Sequence, residues 1–431
     1  MATTSSKAPA FEVAANQILF ELRQAFVVLM DQAGLAGIKP LPLARKLGID
    51  KSLAWKIHRV VYPQTSMDVV RHLPGSASIR RFVDAVRAKR ASDFDQAQIE
   101  RAISGLEQII RTHCGDRATF QMMMNSVADE PSEEVAEQHR QELVRGASYV
   151  WGAHARVTMR ADFVAPSATP GMVDIASVRG LVDLVRYRPK VPWVLSHMGA
   201  VDNDMRRRSE PSRQAIDPSQ RCEEAAPLLT EFCSKPPPVT RRVPSTPGLL
   251  QDELVEERMG TTGLVTCMTG ERVLAVTSRY RDEHNDNTRH RAILRTPSDL
   301  LLFDLYVHRD LKSAMNPQFV LYSSLETGPM VPATAFERYH LPAAETVKSL
   351  GAFPPMTATP DVPRYADMTA YVFERCGWQA ADFAGFRLQM TYPPLPAVAV
   401  LQWPLAERPD LSGSSAGSEG PDSPPPGFVP R

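Results

Sequence analysis

The stretch Leu41-Pro42-Leu43-Ala44-Arg45-Lys46-Leu47-Gly48-Ile49-Asp50-Lys51-Ser52-Leu53-Ala54-Trp55-Lys56-Ile57-His58-Arg59-Val60-Val61 decides how the N-terminal part of this chain is read. Two short helices crossing at a steep angle need a small residue where they touch and a permissive backbone in the turn between them. Ala44 and Gly48 supply these. Leu43, Leu47, Ile49, Ala54 and Ile57 then fall on the inward face of the pair. Lys51, Ser52, Trp55, Lys56 and Arg59 fall on the outward face of the second helix. Pro42 suits a first helical turn, where an N–H has no intrahelical partner, and Pro63 forbids continuation of the second helix.

Working outward, Phe11, Ala15, Ile18, Leu19, Leu22, Phe26, Leu29, Met30 and Ala33 recur at helical spacing and make a long amphipathic helix ending near Gly34. Downstream, Ser66 can cap a short helix through Leu73. Pro74-Gly75 makes a turn, and Ser76 or Ser78 can cap a basic helix to about Arg90. No alternating hairpin follows, so the region 11–92 reads as an all-helical domain.

The chain is neutral, with 49 basic and 49 acidic residues, but its charge is uneven. Between Lys39 and Arg90 there are twelve Lys and Arg against Asp50, Asp68 and Asp84, and twelve minus three leaves plus nine. Such an excess suits phosphate neutralisation. The stretch 93–145 is net acidic, with Glu130, Glu133, Glu134 and Glu137 clustered.

At the residues quoted above, the chain resembles the helix-turn-helix of bacterial transcriptional regulators, over about twenty residues. The resemblance implies that Lys51, Ser52, Trp55, Lys56 and Arg59 face double-stranded DNA. Lys and Arg would meet phosphates or guanine edges, and Ser52 a phosphate or base. Two positions depart from the pattern: Ala54 stands where a larger branched residue is usual, and Trp55 is bulky for a groove-facing site. Trp55 either faces the groove or tucks against the neighbouring helix, the latter leaving Lys56 and Arg59 as the main contacts. Arg80, Arg81 and Arg87 would add backbone contacts, and operator symmetry implies a homodimer.

With 431 residues and 43% hydrophobic content, the chain has material for two or three cored domains. No uninterrupted apolar run approaches the roughly 20 residues of a membrane span, so no membrane partner is expected. Residues 1–10 lack the apolar core of a secretory signal and read as a disordered leader. Cys114, Cys222, Cys233, Cys267 and Cys376 are odd in number and scattered, which argues against a disulfide framework. A cytoplasmic location fits these features.

Residues 93–146 read as a helical linker or dimerisation segment, with helices over 94–113 and 132–145. From 147 to 405 the pattern suggests an α+β domain with a mixed, mainly antiparallel sheet. Strands are expected at 149–151, 155–164, 263–268, 272–279, 300–307, 318–323, 386–392 and 397–403. The pair at 263–268 and 272–279 would be joined around Gly270-Glu271. Helices are expected at 173–188 and 366–376. Residues 201–248 read as a long polar loop, and 406–431, rich in Ser, Gly and Pro, as a disordered tail.

In this second domain there is no phosphate-cradling glycine loop ending in Lys-Ser or Lys-Thr, no Gly-x-Ser-x-Gly elbow, no His-Glu-x-x-His and no Cys-x-x-Cys, and no cofactor is implied. Asp282, His284, Asp286 and His290 offer metal-ligand types, but a polar surface turn explains them. Ser196-His197 with Asp202 and Asp204 holds triad residue types without triad geometry. Cys222 and Cys233 lie too far apart for a zinc knuckle. The run 206–208, three arginines, suits either a nucleic-acid backbone or a solvated loop. The sequence therefore points to a DNA-binding transcriptional regulator whose second domain senses a small-molecule effector or binds a partner. Two other readings stay open: an enzyme in the α+β domain with the helical region as an appendage, and a protein-interaction scaffold.

Overall fold

The computed structural model describes residues 11–64, 66–89, 96–126, 133–188, 193–198, 213–223, 225–246, 249–255, 258–283, 286–325 and 339–408. The expected leader at 1–10 and all but the first three residues of the expected tail lie outside them. The chain divides into two compact units, Met1–Ala136 and Glu137–Arg431, and is α+β.

In the first unit, α1 (Phe11–Gln32), α2 (Pro40–Leu47), α3 (Lys51–Val61), α4 (Ser66–His72), α5 (Ser76–Lys89), α6 (Gln96–Ile109) and α7 (Arg117–Ser126) surround one core. Ile18, Leu22 and Phe26 of α1, Leu43 of α2, Ile57 of α3, Phe82 of α5, Ile103 of α6 and Phe120 of α7 are all part of it. Phe26 and Phe82 meet edge to face, centroids 6.0 Å apart. The segment expected as a linker thus splits. Its first half, α6 and α7, belongs to this core, where Ile99, Ile103, Leu106 and Phe120 are buried. Among the described helices, α1 alone is long and apolar enough to cross a bilayer, at mean hydropathy 1.3. Its Leu22, Phe26 and Met30 are buried in the protein core instead.

The helix α8 (Glu133–Trp151) leads into the sheets. It overrides the strand expected at 149–151: Gly152, at φ 71°, ends it, and the strand begins only after that glycine.

The second unit is built on a seven-stranded sheet in the order β12-β13-β9-β1-β2-β7-β4. These strands are β1 (Ala153–Pro166), β2 (Met172–Arg186), β4 (Arg213–Ala215), β7 (Val265–Ser278), β9 (Ser298–His308), β12 (Lys348–Ala352) and β13 (Phe383–Thr391). β1 and β9 are parallel and the other described pairings in this sheet are antiparallel. Along β9 alternate residues serve opposite faces. Leu301, Phe303, Leu305 and Val307 pack towards a second sheet, β11-β10-β14-β8. That sheet consists of β8 (Asn287–Leu294), β10 (Gln318–Ser323), β11 (His340–Leu341) and β14 (Ala397–Pro404). Leu302 and Tyr306 pack with α9 (Tyr365–Cys376) on the other face. Burial on both faces explains the nearly continuous apolar run of β9. A third sheet, β3-β6-β5, comprises β3 (Trp193–Met198), β5 (Val239–Thr246) and β6 (Leu249–Val255).

Three expectations are corrected. Residues 173–188 are not a helix but most of β2. Burial on both faces, and a register shift between Leu181 and Leu184 with Asp183 at φ 52°, disrupt the two-residue alternation and mimic helical spacing. The two strands expected around Gly270 are one strand, β7. Gly270 marks close packing rather than a turn, since a Cβ there would lie 2.9 Å from Leu229 Cδ2. The loop expected at 201–248 carries β4 and β5 among its described residues and buries Ile216, Leu228, Leu229 and Phe232 against the sheet.

Candidate nucleic-acid interface and an arginine-lined pocket

The α2–α3 turn rests on Gly48, at φ 66°, where a side chain would be strained. Asp50 caps α3, its carboxylate accepting from the backbone N–H of Ser52 at 2.7 Å and of Leu53 at 3.4 Å. Hydrogen bonds from the Ser52 hydroxyl and then its backbone N–H hold the Asp50 carboxyl below its usual value. Ser52 therefore serves the cap as well as the surface.

Leu53, Ala54, Ile57 and Val60 face inward, while Lys51, Ser52, Trp55 and Lys56 are exposed. Trp55 adopts both of its expected positions at once. It is 41% exposed, yet its ring meets His72 of α4 edge to face at 4.6 Å, and the Arg59 guanidinium lies over it at 5.5 Å. Arg59 is half-buried, 3.7 Å from Asp68, and so is partly neutralised. Burial pushes both His58 and His72 below the usual histidine value; Arg59 adds to this at His58, and Asp68 opposes it at His72. Neither ring adds positive charge near neutral pH.

On α5 Arg80 already has partners. Its guanidinium is 3.4 Å from Glu100 and 3.3 Å from Glu107 of α6, an internal tie between helices. Arg81 and Arg87 are exposed. Arg87, seven residues after Arg80, shares the azimuth that faces α6. Arg71 likewise approaches Glu134 at 3.5 Å. The local excess of plus nine is therefore smaller in space than along the chain, because acidic residues of later helices return to it.

The second unit holds a cavity of about 250 Å³ between the seven-stranded sheet, β3 and the end of β8. Register builds it. Thr158, Leu181 and Cys267 oppose one another across β1, β2 and β7. One step on, Arg160, Arg179 and Thr269 do the same, and then Asp162, Ser177 and Glu271. Arg160, Arg179 and Thr158 line the cavity, Arg213 of β4 enters from the edge strand, and Arg295 stands beyond β8. Leu181, Val194, Leu195 and Ile293 supply its apolar wall. The Trp193 indole N–H donates to Thr296 Oγ1 at 3.2 Å on the same rim.

Behind the lining, two carboxylates hold three of these guanidinium groups. Asp162 is fully buried. It lies 2.8 Å from Arg160 Nη2 and 2.7 Å from His290 Nδ1, and accepts from the Ser177 hydroxyl at 2.7 Å. Burial pushes Asp162 up, but Arg160 and His290 outweigh it and hold the carboxyl well below the usual range. Glu271 lies 3.0 Å from Arg179 and 2.9 Å from Arg213. Against its own burial, these two arginines lower it. Burial, and then the facing Arg160, push Arg179 below the usual arginine value, with Glu271 opposing. The Thr158 hydroxyl and Arg213 Nε are buried without a hydrogen-bond partner among the described residues. The Cys267 thiol offers no nucleophile, since its hydrogen bond to Cys233 and its burial push it well above the usual range.

This pocket went unseen in the sequence. Its one signal there is the Arg-x-Asp alternation of Arg160 and Asp162, which places both side chains on one strand face. His290, weighed in the sequence as a metal-ligand type, is instead a buried ring stacked on Trp403 at 5.1 Å. Its companion His284 lies outside the described residues. Among the described residues no group of three or more His, Cys, Asp or Glu could hold a metal ion. Ser196 and His197 fall on β3, whereas Asp202, Asp204 and the arginines 206–208 lie outside the described residues. Compared with protein-family models, curated proteins and solved structures, the chain matches none.

Proposed function

We propose that the protein is a DNA-binding transcriptional regulator, with α3 entering the major groove of double-stranded DNA and the second unit taking an effector or partner. The observation that carries this reading is the exposed row of Lys51, Ser52, Trp55 and Lys56 on a helix whose other face is locked into the core. Lys51 and Lys56 make the phosphate or guanine contacts. Trp55 offers an apolar edge to a thymine methyl. Arg59, already beside Asp68, contributes less. Arg81 and Arg87 remain backbone contacts in this reading, and Arg80 does not. A homodimer presenting two copies of α3 to a palindromic site, and a cytoplasmic location, belong to the same proposal.

The test is selection of the full chain on random duplex DNA at two salt concentrations, beside a Lys51→Ala, Lys56→Ala variant. Enrichment of one motif, weakened by salt and lost in the variant, is expected. Each phosphate contact removed should flatten the salt dependence by about one unit of slope. Absence of enrichment, or binding indifferent to both lysines, would overturn the reading.

A further inference from the structure

We infer that the cavity between β1, β2, β7 and β8 binds a small organic oxyanion, through a carboxylate or phosphate head on Arg179 and Arg213 and an apolar body against Leu181, Val194, Leu195 and Ile293. The inference stands on the pocket alone and holds whether or not α3 contacts DNA.

Three observations carry it. Three guanidinium groups share two carboxylates, so Arg160, Arg179 and Arg213 less Asp162 and Glu271 leave one positive charge within that group, and Arg295 also stands on the lining. Both carboxylates sit behind the arginines, and among the described residues no acidic side chain lines the cavity. A half-buried guanidinium that its own protein half-neutralises is favourable for an incoming anion, because a partly desolvated wall strengthens the contact. The Thr158 hydroxyl and Arg213 Nε belong to lining residues and have no hydrogen-bond partner among the described residues. Buried polar groups are nearly always satisfied, so the pair is a polar demand that the described residues leave unmet beside the cavity. Finally, Leu181, Val194, Leu195 and Ile293 give part of the lining an aliphatic character. That selects an anion with a carbon skeleton over a bare inorganic ion.

Isothermal titration of the full chain with benzoate, phenyl phosphate, inorganic phosphate and the neutral benzamide tests this. Saturable binding of benzoate or phenyl phosphate at least tenfold tighter than benzamide and inorganic phosphate is expected, and the better of the two acids identifies the head group. Arg179→Gln and Arg213→Gln should each weaken that binding tenfold or more. Arg281→Gln, on the exposed surface, should not. Thr158→Val, a near-isosteric change, should weaken it severalfold while circular dichroism stays unchanged. Should the arginine variants fail to fold, the comparison of acid with amide on the wild-type chain still decides. Equal binding of benzamide and the acids, no binding of either acid, or unchanged affinity in folded arginine variants would overturn the inference.

Discussion

Two of the arginine–carboxylate clusters on the central sheet lie on opposite faces, and they differ in what they leave over. On the α9 face, Asp304 accepts from Arg387 Nε at 2.8 Å and Nη2 at 2.7 Å. It also accepts from the Tyr306 hydroxyl at 2.9 Å and the Tyr365 hydroxyl at 2.7 Å. Arg387 also donates from Nη1 to the Ala358 carbonyl and from Nη2 to the Thr357 carbonyl, which places four of its five N–H groups. Both residues are buried and the network is closed. On the other face, the Arg160, Arg179 and Arg213 group keeps an unmatched charge, two orphan polar atoms and a cavity. A closed network specifies packing, whereas an open one is built to meet something.

The difference can be broken from its strongest side first. Arg387→Ala strands a buried carboxylate and should cost about 3–5 kcal/mol of stability, measured by denaturant unfolding. A loss under about 1 kcal/mol would show that Asp304 is not held as the geometry describes. An acid titration comes next. Asp162 and Glu271 lie below their ordinary values of 3.8 and 4.5 in the folded protein. Their stabilising contribution is therefore complete above that range and is lost as protons bind on descending through and below it. Stability should fall below about pH 4, and Asp162→Asn should flatten that fall. A smaller effect belongs to Arg179→Gln. Glu271 retains Arg213, so the stability cost should be about 1 kcal/mol by thermal unfolding, with the larger loss reserved for anion binding. A cost near that of Arg387→Ala would place Arg179 with the closed network. The smallest change is expected of Lys51→Ala with Lys56→Ala, within about 0.5 kcal/mol, since neither side chain supports the core. A drop beyond this in thermal unfolding would make these lysines structural.

How much of this was legible in the sequence depends on whether the deciding contacts are local. The α2–α3 pair was, because Gly48, Pro63 and the inward leucines act within twenty residues of one another. The start of α2 shifts only from Pro42 to Pro40. Strands β10 and β14 were legible from their alternation and their flanks. β2 was not: a bulge and two-sided burial are set by β1 and β7, and neither leaves a mark in β2 itself. The pocket was invisible for the same reason. Arg160 and Arg179 face each other through one hairpin register, but Glu271 and Arg213 reach them from separate strands, and pairing across such distances is written in no single window. Nor could the pairing of Arg80 with α6 be seen from charge counting, which adds up residues without knowing which acids fold back.

The parallel pairing of β1 with β9 has a consequence for the order of assembly. Ala155 aligns with Ser298, and 298 minus 155 leaves 143 residues to be closed into a loop before the sheet has a centre. The chain entropy of that closure is about 4 kcal/mol at 25 °C by the logarithmic loop law. The helices before residue 136 close long spans too, Phe11 meeting Phe120 at 6.1 Å, but all of their partners lie upstream of β9 and are synthesised first. As the chain leaves the ribosome, the helical unit can therefore finish folding while β1 and β2 still expose apolar faces awaiting β9. A refolding experiment should then find two kinetic phases, the helical one faster, with aggregation confined to the interval between them.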